Sequence, residues 1–166
     1  MFLYRISLFL VTFIIFSPAI DGSQPHFTKD IEVIDFDTFA PRLNKDDGTV
    51  YVVNFWATWC APCVREIPAF EKLYATYKDQ NVHVLLVSLD FPNHLESRVI
   101  PFVESHNVQS EVLLLDEPNA NRWIPLVSDE WTGAIPATVI YNSEFRQFYQ
   151  REFTFEELEE IILPLL

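Results

Sequence analysis

Phe55-Trp56-Ala57-Thr58-Trp59-Cys60-Ala61-Pro62-Cys63 contains both cysteines of this 166-residue chain. It completes Val50 to Phe55, a nearly continuous apolar run of the kind found in strands buried on both faces. It also opens a stretch, from about Cys60 to Tyr77, in which Ile67, Phe70, Leu73, Tyr74 and Tyr77 recur at helical spacing. The cysteines therefore fall at a strand-to-helix turn. There the free backbone N–H groups and the positive end of the helix dipole stabilise a thiolate on the first cysteine. A thiolate is the species that attacks a disulfide. Cys63 follows three residues later, about one helical turn away, within reach to resolve a mixed disulfide. Pro62 suits a first helical turn, where its missing N–H costs nothing. Blander readings fit less well. A structural disulfide would close a tiny loop and constrain the unfolded chain little. Inert thiols do not suit an oxidising compartment. A covalent haem site wants His after the second cysteine, where this chain has Val64.

The compartment is read from the other end of the chain. Arg5 is the only charge among the first twenty residues, Ile6 to Phe16 is apolar except for Ser7 and Thr12, and Ser17-Pro18-Ala19 places small residues before a possible cut. Residues 1–22 thus read as a secretory signal peptide or, uncleaved, as an N-terminal membrane anchor. Either delivers the remainder to a periplasmic or other extracytoplasmic space, where disulfides persist. Residues 23–29 read as a polar linker, and 30–166 as one domain.

Across that domain the pattern alternates. Ile31, Val33 and Ile34 suggest a strand, and Asp37 is the expected cap of a short helix from Thr38 to Leu43. Strands are expected at Val82 to Val87 and Val112 to Leu115, flanking a helix over Leu95 to His106 that Pro101 would kink. Ala120 to Leu126 is ambiguous. Ala137 to Tyr141 and Phe145 to Tyr149 form two strands around Asn142-Ser143-Glu144, and Thr154 with Glu157 makes a capping box for a last helix. The expectation is an α/β fold: a mixed sheet covered by helices on both faces and closed by an antiparallel hairpin.

Composition narrows the function classes. Hydrophobic residues make up 49% of the chain, which excludes disorder, and a net charge of −13 argues against nucleic acid or an anionic membrane face as partner. Two cysteines are too few for a four-thiolate zinc site, and His26, His83, His94 and His106 form no close metal pattern, so neither metal nor other cofactor is expected. Three glycines, Gly22, Gly48 and Gly133, leave no Gly-rich phosphate loop.

The segment Phe55 to Cys63 resembles the active-site segment of the thioredoxin superfamily. Pro68 stands where those proteins carry a helix-kinking proline, and Gly133-Ala134-Ile135-Pro136-Ala137-Thr138 is similar to their cis-proline loop. Asn54, where thioredoxin itself has a buried acid, and Glu66, which completes CxxCxxE, resemble the TlpA and ResA group of periplasmic thiol–disulfide oxidoreductases. So does the long interval between Cys63 and Pro136, which makes room for an inserted helix and strand between Asn93 and Asp116.

The resemblance implies roles. Cys60 is the exposed attacking thiol, and Cys63 the more buried resolving thiol. Glu66, one turn beyond Cys63, exchanges a proton with it from a half-buried position that would raise its pKa. Pro136 is cis and faces the cysteines, exposing the Ile135 backbone to an extended substrate. Trp59 and Pro62 complete the substrate-binding surface, Trp56 is core, and Trp131 is read first as core, with a place in the substrate groove as the alternative. The implied activity is reduction of protein disulfides, including those of apocytochrome c, by a monomer recharged from a membrane thiol donor. A thiol peroxidase is the alternative enzyme, although peroxidase sites resemble Pro-x-x-x-Thr-x-x-Cys and this chain has Ala57 in place of the Thr. A copper chaperone on the same fold is the alternative binding protein.

Overall fold

Seven residues, Val50–Trp56, form the strand around which the molecule is organised. In the computed structural model, which describes residues 30–166, Val52 and Trp56 point into one apolar core and Val53 and Phe55 into another, as the period of two in a strand requires. The expected signal or anchor over 1–22 and the linker over 23–29 lie outside the described residues.

The elements run β1 (Glu32–Ile34), α1 (Phe36–Phe39), β2 (Val50–Trp56), α2 (Ala61–Tyr77), β3 (Val82–Ser88), α3 (Ile100–Ser105), β4 (Glu111–Leu115), α4 (Ala120–Val127), β5 (Ala137–Tyr141), β6 (Arg146–Tyr149) and α5 (Phe155–Ile162). The sheet order is β1-β4-β3-β2-β5-β6. The first four strands of that order are parallel; β5 pairs antiparallel with β2, and β6 pairs antiparallel with β5. One core packs Ile67, Phe70 and Leu73 of α2 and Leu158 and Ile162 of α5 onto the sheet. The other packs Phe36, Phe39, Trp123 and Val127 on the opposite face. The α/β sheet with helices on both faces is as expected.

Three local expectations change. The cap of α1 is Asp35, whose carboxylate accepts the Thr38 N–H at 2.9 Å. Starting there sets Phe36 and Phe39 on one buried face, and it leaves Asp37 exposed to pair with Arg122 at 3.1 Å. The helix over 95–106 begins as a wider π turn, Leu95–Val99, before α3. Pro101 has no N–H for the Ser97 carbonyl, and the wider turn absorbs that missing bond. The ambiguous stretch after β4 is a helix, α4, with Pro125 inside it and Trp123 and Val127 buried one turn apart. The expected capping box of α5 forms, with Thr154 and Glu157 each accepting the other's N–H.

At the end of the sheet away from the cysteines, Glu111 accepts from His83 at 2.8 Å and from Arg42, which also binds Glu32 at 3.0 Å. The His83 bond, then Arg42, outweighs burial and holds the Glu111 carboxyl at about 2. Its stabilising contribution is therefore complete above the ordinary carboxylate range and is lost as pH falls through about 2. The Arg42, His83 and Glu111 side chains are 30 to 39% exposed, so Glu111→Ala should cost only about 1 kcal/mol, read from the urea midpoint at neutral pH.

Candidate active site

Cys60 and Cys63 are joined by a disulfide, with Cα atoms 5.2 Å apart. Cys60 is the N-cap of α2, and its sulfur accepts the Cys63 N–H at 3.3 Å. That bond turns one of the helix's unpartnered donors toward Cys60, the arrangement that favours a thiolate there once the disulfide opens. Pro62 falls in the first turn, as expected. Trp59 is 57% exposed beside the pair, whereas Trp56 is fully buried against Phe102.

The expected exposure of Cys60 is corrected. Cys63 is fully buried and Cys60 only 6% exposed. The loop before β5 accounts for this, because the Ile135 carbonyl oxygen lies 3.7 Å from Cys60 Sγ. The Ile135–Pro136 peptide is cis. Gly133 holds φ at +89°, and a Cβ there would press on Ile124 Cδ1 at 3.2 Å, so a side chain at that turn would be strained. Trp131 is a buttress of the loop, contrary to the groove role. It is 5% exposed, packs tilted against Phe55 and edge-on to Trp123, and donates its indole N–H to the Ala134 carbonyl at 2.8 Å.

Glu66 is 3% exposed on α2. One carboxylate oxygen accepts from the Asn54 amide at 2.8 Å and the other from the Phe153 N–H at 3.0 Å. Asn54 also donates to Thr138 Oγ1 at 3.1 Å, tying β2, α2 and β5 together under the cysteine turn. Burial raises the Glu66 pKa to about 7, against the lowering effect of the Asn54 and Phe153 bonds; Glu152 raises it further and Arg151 lowers it. No hydrogen bond among the described residues joins Glu66 to either sulfur in this disulfide form. Its place one turn beyond Cys63 is as expected.

A residue with no motif signal completes the site. Asp90, 2% exposed just past β3, accepts from the Thr58 N–H at 2.8 Å, from Thr58 Oγ1 at 2.6 Å and from Ser88 Oγ at 3.0 Å. It anchors the turn that carries Trp59 and Cys60. Only its position at the end of a buried strand, beside the cysteine strand in a parallel pair, could have suggested it. Asp90→Ala strands three donors and should cost about 2 to 4 kcal/mol, visible in urea denaturation. The loosened turn should also speed alkylation of reduced Cys60 by iodoacetamide.

Comparison with known proteins follows from this geometry. The sequence matches the AhpC/TSA family over residues 25–146. The chain belongs to that family. It is 29% identical over 143 residues to the thiol-disulfide oxidoreductase ResA of Geobacillus kaustophilus, covering 85% of this chain and 75% of the relative. Against ResA of Oceanobacillus iheyensis it is 32% identical over 121 residues, covering 71% of this chain but only 58% of the relative. A secreted thiol-disulfide isomerase from Corynebacterium glutamicum superposes with a TM-score of 0.60 at 21% identity, over 72% of this chain and 71% of that one. The fold is thioredoxin-like, and the family member has the dithiol–disulfide site of a thiol–disulfide oxidoreductase. Among the described residues no three His, Cys, Asp or Glu are arranged to hold a metal ion, and no helix is long and apolar enough to cross a membrane.

Proposed function

We infer that this chain is a thiol–disulfide oxidoreductase that reduces protein disulfides outside the cytoplasm. The observation that carries this is the Cys60–Cys63 disulfide at the N-terminus of α2, under the Ile135 carbonyl and above a buried Glu66. In the dithiol form, the Cys60 thiolate attacks a substrate disulfide and one substrate sulfur leaves as a thiolate. The Cys63 thiol then gives its proton to Glu66 and attacks Cys60 Sγ, closing the disulfide and releasing the second substrate sulfur. Ile135 and Pro136 present backbone to an extended substrate segment, and Trp59 and Pro62 provide the apolar platform beside it.

Apocytochrome c is the substrate the resemblance to the ResA group implies, and a membrane thiol relay returns the electrons. The chain works as a monomer, with its own disulfide as the sole redox group. Direction follows the balance of potentials between the pair and its partners. Ala61-Pro62 lacks the intervening His of the strongly oxidising members, which supports reduction.

The test is stoichiometric. The purified protein, reduced and freed of reductant, should cleave about one disulfide of a model protein substrate such as insulin per molecule, and Cys60→Ser should cleave none. Rapid peroxide consumption without such cleavage would replace this reading by the thiol peroxidase. Stoichiometric copper retained after dialysis, with no cleavage, would replace it by the copper chaperone.

A further inference from the structure

Glu66 is buried, yet it forms the floor of a surface cleft. The cleft encloses about 130 Å³ and is lined by Arg65, Glu66, Glu152, Phe153, Thr154 and Glu157. That is room for a few waters at roughly 30 Å³ each. Neither cysteine, nor Trp59, nor the Ile135 loop lines it. Its walls reach solvent: the side chains of Arg65, Glu152 and Glu157 are 63, 42 and 44% exposed. Across the mouth, Arg65 at the start of α2 is ion-paired with Glu152 on the turn before α5. Arg151 is held to one side, bonded to Glu157 at 2.8 Å and lying over the Phe153 ring.

The proposed reaction leaves one proton unaccounted for. When Cys63 resolves the mixed disulfide, its proton passes to Glu66, and until it leaves Glu66 it can return to the Cys63 thiolate and stall the attack. During that step the substrate group held on Cys60 Sγ covers the face that carries Cys60 and Trp59. We propose that the proton leaves Glu66 through the cleft between α2 and the turn before α5, with the Glu152 carboxylate at its mouth as the relay to solvent. This rests on the proton-accepting role of Glu66 given above. The route runs away from the docking face, so proton release and substrate binding do not compete.

The charged and polar groups around Glu66 fit this direction. Asn54 of β2, itself bonded to Thr138 of β5, and the Phe153 N–H hold the carboxylate in place. The carboxylates of Glu152 and Glu157 lie on the cleft side, where they favour a proton moving outward, and Arg65 and Arg151 are each already bonded to one of these acids. Cys63, fully buried on the inner side, is the proton's source. Glu152 is thus a positioning and relay group, acting through Glu66 and touching neither sulfur nor substrate.

The reduced full chain is mixed with excess 5,5′-dithiobis(2-nitrobenzoate) in a stopped-flow instrument. Attack by Cys60 releases one thionitrobenzoate, and resolution by Cys63 releases the second. Glu152→Leu should leave the first phase unchanged and slow the second about tenfold near neutral pH, less than the loss of a direct proton acceptor because water in the cleft still carries part of the proton flow. The solvent deuterium effect on the second phase should rise, Glu152→Asp should restore the rate, and added imidazole should rescue the Leu variant. Adding Glu152→Leu to Glu66→Gln should slow the second phase no further. If Glu66→Gln slows it and Glu152→Leu does not, the proton leaves by another path and this inference is overturned. Equal slowing of both phases by Glu152→Leu would also overturn it. If Glu66→Gln itself has no effect, the failure lies in the role given to Glu66.

Discussion

Cys63→Ser should accumulate disulfide-linked complexes with its substrates in the native compartment, and Cys60→Ser should accumulate none. The asymmetry follows from the site. Cys60 caps α2, so its sulfur already accepts a helix N–H and gains from the dipole. It also lies next to exposed Trp59 and keeps the small exposure that Cys63 lacks, so it is the sulfur a substrate can reach. Cys63 is fully enclosed, so no protein sulfur can approach it before Cys60 has reacted. With Ser at 63 the mixed disulfide has no resolving thiol and persists. With Ser at 60 the nucleophile is gone, and disulfide cleavage should fall roughly a thousandfold or more, the scale of deleting a covalent nucleophile. Non-reducing electrophoresis followed by mass spectrometry reads both results. Capture of apocytochrome c would name the substrate. Capture through Cys63 in the Cys60→Ser variant would reverse the assignment of attacker and resolver.

The contrast between Cys60 and Asp90 explains what was legible in the sequence. The cysteine pair announces itself because strand, turn, cap and helix are contiguous, so local rules are enough to place it. The same holds for Thr154 with Glu157, and for the apolar runs that became β2 to β5. Asp90 lies 32 residues from Thr58 in sequence, and its role exists only because β3 lies parallel to β2. Nothing near Asp90 in the chain distinguishes it from an exposed acid in a loop. The cap of α1 was misplaced for a related reason. Asp35 and Asp37 are both competent caps, and the choice between them is made by burying Phe36 with Phe39, a tertiary demand. Trp131 likewise became a buttress once Phe55 and Trp123 surrounded it. Exposure of Cys60 was overestimated because the Ile135 loop, 75 residues away, folds over it.

Glu66→Gln should remove one inflection from the pH dependence of disulfide resolution and one slope from the pH dependence of stability. Kinetically, Glu66 accepts a proton only as a carboxylate. With its pKa raised to about 7, chiefly by burial, the wild-type resolution rate should climb as pH rises through that value. The Gln variant should lose that rise and run about ten- to a hundredfold slower at the alkaline end of it, leaving only the titration of Cys63. Stability moves in the opposite sense. A carboxyl whose pKa is about 7 folded and 4.5 unfolded binds its proton more tightly in the native state. The stability this provides is complete below the unfolded value and is lost as pH rises through about 7, a change of about 3 kcal/mol at most. Gln keeps one acceptor oxygen, for either Asn54 or the Phe153 N–H, and loses the other bond at a cost that does not change with pH; with no charge to bury, its urea midpoint should be flat across that window while the wild type falls. On the proposed role of Glu66, stability at neutral pH is given up to keep a base beneath Cys63. Parallel resolution profiles for the wild type and Glu66→Gln, with the stability profiles still diverging, would show instead that Glu66 is a structural carboxylate that takes no proton from Cys63.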